Sequence, residues 1–168
     1  MNRRNFSKKG LIGFSGLIST SVEAKHTISQ TDDRIDLEVV KEFVIAGHND
    51  LDKVKAMLNR ESNLLFARHD WGGGDFEEAI EGAGHVGNKA IANFLIQKGA
   101  RVNLFVLTML GKKELVISAL QAYPSLVNAR GPHGFSLLHH AKIGGDESKE
   151  IYDYLINEGL SETKLSNE

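Results

Sequence analysis

Eight side chains suited to metal binding or acid–base work crowd two short stretches of this 168-residue chain. His69, Asp70, Asp75, Glu77 and Glu78 lie in the first stretch, and His133, His139 and His140 in the second. Imidazoles and carboxylates sharing one groove suit zinc or another divalent cation. No His-Glu-x-x-His or comparably tight spacing is present, so neither a bound metal nor a cofactor is expected. Ser136 beside His139 and His140 is the only trio shaped like a nucleophile with its base. His85 falls in a turn between helices and reads as a structural histidine. The chain has no cysteine, which excludes disulfides, thiolate ligands and cysteine nucleophiles.

A binding surface is the stronger expectation. Trp71 is the only tryptophan, set in Asp70-Trp71-Gly72-Gly73-Gly74-Asp75. A large amphipathic ring on a loop either anchors a partner or folds back over its neighbours. Three glycines exceed what one turn needs, and they let a ligand or another backbone approach closely. They do not follow a strand and open a helix with phosphate-loop spacing, which argues against a nucleotide cradle. Asp75 is placed to cap a following helix, whose stripe would be Phe76, Ala79, Ile80 and Ala83.

The elements that must position these residues repeat. Phe43, Val44, Val54, Leu58, Leu64, Ala67, Arg68, Gly72, Ala79 and Gly82 recur 62 positions later as Phe105, Val106, Val116, Leu120, Leu126, Ala129, Arg130, Gly134, Ala141 and Gly144. Short helical stripes alternate with glycine-bearing turns at Gly47, Gly84, Gly111 and Gly145. The pattern predicts four helix–turn–helix pairs, each helix too short to be stable alone. Stacked neighbours must therefore bury one another's stripes.

Composition is that of an ordinary globular domain, 41% hydrophobic and 25% charged. No stretch approaches the ~18 apolar residues that span a bilayer. Residues 1–24 read as a targeting segment. Arg3, Arg4, Lys8 and Lys9 precede a weakly apolar Gly/Ser-rich stretch and a cleavage site after Ala24. Asn2-Arg3-Arg4-Asn5-Phe6-Ser7-Lys8 resembles the twin-arginine export motif, departing from it at Asn2 and Ser7. This implies a periplasmic or exported protein; a basic tail on a cytoplasmic protein is the alternative. Cleavage would remove four basic residues and one acidic one, moving the net charge from −2 to −5. Such a charge argues against a nucleic-acid partner. Residues 25–35 read as a flexible spacer.

Gly134-Phe135-Ser136-Leu137-Leu138-His139-His140-Ala141 resembles the ankyrin-repeat helix opening G-x-T-P-L-H-x-A, with Leu137 in place of proline. Leu95-Ile96-Gln97-Lys98-Gly99-Ala100-Arg101-Val102-Asn103 is similar to the close of such a repeat. The resemblance implies an all-α ankyrin solenoid of about four helix–turn–helix repeats over 36–160, with a polar tail at 161–168. Short β-hairpin fingers are expected around Phe66 to Gly74 and Asn128 to Gly134, with the finger between repeats two and three missing. It also gives Ser136 and His139 structural duties at a helix start. The expected function is a non-catalytic, monomeric module that binds a protein or peptide through Asp70, Trp71, Phe76, His133, Phe135 and His140. The alternative is a metal- or small-molecule-binding accessory protein, or an enzyme, using the histidines and carboxylates of the fingers.

Overall fold

A computed structural model describes residues 34–165. The expected targeting segment and the spacer up to residue 33 lie outside them, as do the last three residues of the tail. Eight α-helices occur among the described residues: α1 (Leu37–Asn49), α2 (Leu51–Arg60), α3 (Ala79–Val86), α4 (Lys89–Gln97), α5 (Leu104–Met109), α6 (Lys113–Ala122), α7 (Leu137–Gly144) and α8 (Lys149–Asn157). One antiparallel hairpin, β1 (Arg68–Asp70) and β2 (Phe76–Glu78), stands between α2 and α3. The fold is mainly helical, as expected.

Local chemistry sets the helix starts. Asp50, Asn88, Asn103 and Ser136 each accept a backbone N–H of their own first turn through a side-chain oxygen. At α3 the Glu81 carboxylate reaches back to the Glu78 N–H at 2.7 Å, half of a capping box. Each odd-numbered helix pairs with the helix that follows it, and α1, α3, α5 and α7 stack in that order. Phe43, Ile80, Ile91, Leu95 and Met109 fill one end of the core, and Val116, Leu137, Leu138, Ile151 and Leu155 the other. Burying such stripes stabilises by roughly 1.5–3 kcal/mol per large side chain, enough to hold helices of 6 to 13 residues.

The stacking is close. A Cβ on Gly47 would lie 2.4 Å from the Ala79 carbonyl oxygen, so only glycine lets α1 approach α3 this tightly. That approach brings the next residue, His48, edge-on to His85, ring centroids 4.8 Å apart.

Three local expectations are corrected. Phe76 is not on a helical stripe; it sits in β2 and is 47% exposed. Asp75 does not cap α3, because β2 intervenes and Glu78 takes the cap position. The second finger, near Asn128 to Gly134, is a tight turn at Pro132–Gly134 with no hairpin. Its pairing comes from the far end of the chain. Leu165 donates its N–H to the Gly134 carbonyl at 2.8 Å, and Ser136 donates to the Thr163 carbonyl at 3.0 Å. The tail expected at 161–168 is, over its described part, an edge partner for this turn. As expected, no strand is present between α4 and α5.

Candidate functional site

The hairpin loop positions the side chains singled out in the sequence. Trp71 donates its backbone N–H to the Asp75 carbonyl at 2.9 Å, closing the loop, and the Asp70 carboxylate accepts the Gly72 N–H at 2.8 Å. Gly72, Gly73 and Gly74 all take positive φ, so the turn uses all three glycines. β-strand alternation then sends Phe76 out and Glu77 in.

Glu77 is the centre of the site. It is fully buried, and it arrives opposite His69 in the hairpin register. Its Oε2 accepts the indole N–H of Trp71 at 2.9 Å, and its Oε1 lies 2.8 Å from His85 Nε2. His48 Nε2 stands 3.6 Å from Oε1, and His133 Nε2 stands 3.5 Å from Oε2. Burial alone would push the Glu77 carboxyl up. The His85 hydrogen bond, the charges of His48 and His85 and the Trp71 hydrogen bond outweigh it, and hold the carboxyl below its usual value.

His133 is positioned by a second carboxylate. Asp75 accepts the His133 backbone N–H at 2.8 Å and faces its Nδ1 at 2.7 Å. Burial acts to raise the Asp75 carboxyl, but the backbone and side-chain bonds from His133 bring it below the usual range. His133 carries φ +58°, the one positive φ outside glycine among the described residues. Backbone held in the left-handed region by a non-glycine residue costs free energy and persists where its surroundings over-determine it. The Asp75 clamp supplies that determination.

Each expected site residue can now be placed. Asp70, Trp71 and Phe76 are exposed on the hairpin, Trp71 at 37%. Trp71 folds back over its neighbours: its indole N–H is held by Glu77, its ring leans edge-on against His69 and His133, and its remaining surface faces solvent. His133 and Phe135 are half-buried, with Phe135 stacked between His85 and His139. His140 is buried, bonded through Nδ1 to the Ser136 carbonyl, and does not reach the surface. An open polar cavity of about 710 Å³ lies between the glycine loop and the second turn, lined by Asp75, Arg130, His133 and Lys164.

The hydrolase trio does not assemble as a nucleophile with its base. The Ser136 hydroxyl is buried and donates to the Glu162 carbonyl at 2.6 Å, while its oxygen caps α7. The His139 ring turns to the His85 carbonyl. Four of the eight candidate residues, His133, His140, Asp70 and Glu78, are also spread among different partners: Glu78 faces Arg101 at 2.9 Å, Asp70 stays in its own turn, and His140 is bonded to the Ser136 carbonyl. A different foursome meets instead. One ligand atom each from His48, Glu77, His85 and His133 lies within 4.8 Å of all the others.

Of these, His48 and His85 do not stand out as site residues in the sequence. Both follow an Ala-Gly pair at the end of the first helix of adjacent helix pairs, as Ala46-Gly47-His48 and Ala83-Gly84-His85. That 37-residue recurrence is the signal that could have found them.

No protein-family description matches the chain, and no solved structure matches it. A curated protein of Rickettsia felis, named "Putative ankyrin repeat protein", is 42% identical over 48 residues. The match covers 29% of this chain and 22% of the length of that protein. The chain is thus similar, over a limited segment, to an ankyrin-repeat protein.

Proposed function

We propose that this chain is a non-catalytic ankyrin-type interaction module that acts outside the cytoplasm as a monomer. Its four helix pairs are four repeats stacked as a short solenoid, and its ligand is another protein or a peptide. The observation that carries this reading is the hairpin, where Trp71 and Phe76 leave large apolar surface in solvent beside Asp70. A half-exposed tryptophan already fixed at its N–H end loses little entropy on docking, which suits a binding anchor. The partial likeness to an ankyrin-repeat protein supports a partner of protein nature. His133 and Phe135 form the wall beside the anchor; buried His140 takes no part. Export rests on the twin-arginine-like residues Arg3 and Arg4.

Affinity capture from a periplasmic extract tests this reading, comparing the chain lacking residues 1–24 with its Trp71→Ala variant. The wild type is expected to retain a partner that Trp71→Ala loses. Recovery of the same proteins in equal amounts by both would contradict the anchor.

A further inference from the structure

We propose that His48, His85, His133 and Glu77 form a four-ligand site for a divalent transition-metal cation, zinc by preference, behind the Trp71 hairpin. The four come from four separate elements: the end of α1, the end of α3, the second turn and β2. A metal bound here would tie the helix pairs that carry these histidines to the hairpin.

The argument starts from where protons sit. His48 Nδ1 lies 3.0 Å from the Val44 carbonyl, which can only accept, so Nδ1 carries the hydrogen. His133 Nδ1 faces the ionised Asp75 carboxylate and likewise donates. In the neutral rings both Nε2 atoms then present lone pairs, and both point at the Glu77 carboxylate from 3.6 and 3.5 Å. Two ring nitrogens gathered on an anion beyond hydrogen-bond distance mark a position suited to positive charge, which the imidazoles themselves supply to Glu77 in the metal-free protein and a bound cation would supply in their place. Metal-ligating histidines are held in this way, with the distal nitrogen donating to a carbonyl or carboxylate.

The dimensions agree. Zinc with Zn–N and Zn–O bonds of roughly 2.0–2.2 Å in tetrahedral geometry sets neighbouring ligand atoms about 3.3 Å apart. Glu77 Oε1 has His85 Nε2 at 2.8 Å and His48 Nε2 at 3.6 Å, and the other oxygen, Oε2, has His133 Nε2 at 3.5 Å. With one ligand atom taken from each residue, no separation exceeds 4.8 Å. Small side-chain rotations of the partly exposed His48 and His133 close that gap. His85 Nε2 now donates to Glu77 Oε1 at 2.8 Å; as a ligand it releases that proton to solvent and offers the nitrogen to the cation, the neutral ring then carrying its hydrogen on Nδ1. Three imidazoles with one carboxylate favour zinc, copper or nickel over magnesium or calcium. The site is reached beside Trp71, since the His48 and His133 side chains are 22% and 28% exposed while Glu77 is fully enclosed.

Calorimetric titration of chelator-treated protein with zinc chloride tests the site. The expected result is one equivalent bound, with a rise of several degrees in Tm at saturating zinc. His48→Gln and His133→Gln should each weaken binding tenfold or more, and His69→Gln, outside the set, should leave it unchanged. Because a variant could lose its fold, cobalt(II) titration of the wild type supplies a second reading: intense visible bands of tetrahedral coordination are expected. Failure to bind one equivalent of zinc, cobalt binding without those bands, or equal zinc affinity in folded His48→Gln would each overturn the proposal.

Discussion

Replacing Glu77 with alanine is expected to remove about 3–5 kcal/mol of stability, the cost of breaking a buried charge network by deleting one member. The whole fold has only some 5–15 kcal/mol to lose. The carboxylate is fully buried and accepts from Trp71 and His85 at 2.9 and 2.8 Å. Alanine leaves the indole N–H unpaired, strands His85 in a buried position and opens a cavity where hairpin and helices meet. Glutamine keeps the shape but replaces one acceptor oxygen with a donor, so Glu77→Gln should cost less, about 1–3 kcal/mol. Urea denaturation of metal-free protein measures both. A loss below about 1 kcal/mol for Glu77→Ala would mean the network is incidental to the fold. The effect has an acid limb: the Glu77 carboxyl is held below its usual value, so its contribution is complete above the unfolded carboxyl pKa. It is lost as pH falls through the folded one.

The second large effect lies at higher pH and belongs to His140. Burial lowers its pKa to about 4, opposed by the bond to the Ser136 carbonyl and reinforced by the nearby His139 and His85. The unfolded chain titrates this group near its ordinary value of about 6.5. Between about pH 4 and 6.5 the unfolded state therefore binds the extra proton, and stability rises with pH across that window. A tenfold difference in proton affinity between the folded and unfolded chain is worth about 1.4 kcal/mol. His140 is therefore expected to account for about 2–3 kcal/mol of destabilisation between roughly pH 7.5 and pH 4.5. His140→Asn keeps a donor for the Ser136 carbonyl but cannot titrate. Its stability should be flatter over the same range, measured by denaturant midpoints at fixed pH values. Parallel pH curves for wild type and variant would show that the ring is not buried as a neutral group.

Both effects rest on residues whose roles the sequence discloses unequally. The helix pairs are legible because their signals are local: Asp50, Asn88, Asn103 and Ser136 at helix starts, and glycines near the helix junctions, Gly111 and Gly145 between helices and Gly47 and Gly84, which read as turn residues, inside the ends of α1 and α3. The hairpin is legible only in part: the ankyrin resemblance implies a finger around Phe66 to Gly74, but its second strand, Phe76–Glu78, reads in sequence as the start of a helix. Glu77 is not legible, because Asp75-Phe76-Glu77-Glu78 reads as a polar run. Its burial depends on His48, His85 and His133 arriving from other parts of the chain. The second turn reads as a hairpin in sequence because its actual strand partner, Thr163 to Leu165, lies about 30 residues downstream. The 62-residue echo also misaligns the helix starts. Glu78 and Ser136 cap corresponding helices α3 and α7 only 58 residues apart. Hence Glu81, not Glu77, is the helix-start counterpart of His139, and Glu77 is left free to centre the site. His139 and His140 differ by one position, a turn of roughly 100° about the helix axis, which sends one ring to the His85 carbonyl and buries the other.

What joins these observations is the claim that the hairpin presents Trp71 to a partner, with Glu77 and the three histidines fixing it from behind. Trp71 is the only tryptophan, so the protein's own indole fluorescence reports on that residue alone. The most direct measurement is a fluorescence titration of the wild-type chain with a captured partner, run beside calorimetry on the same solutions. Trp71 emission is expected to shift and saturate at the calorimetric stoichiometry; binding heat with an unchanged emission spectrum would contradict the claim.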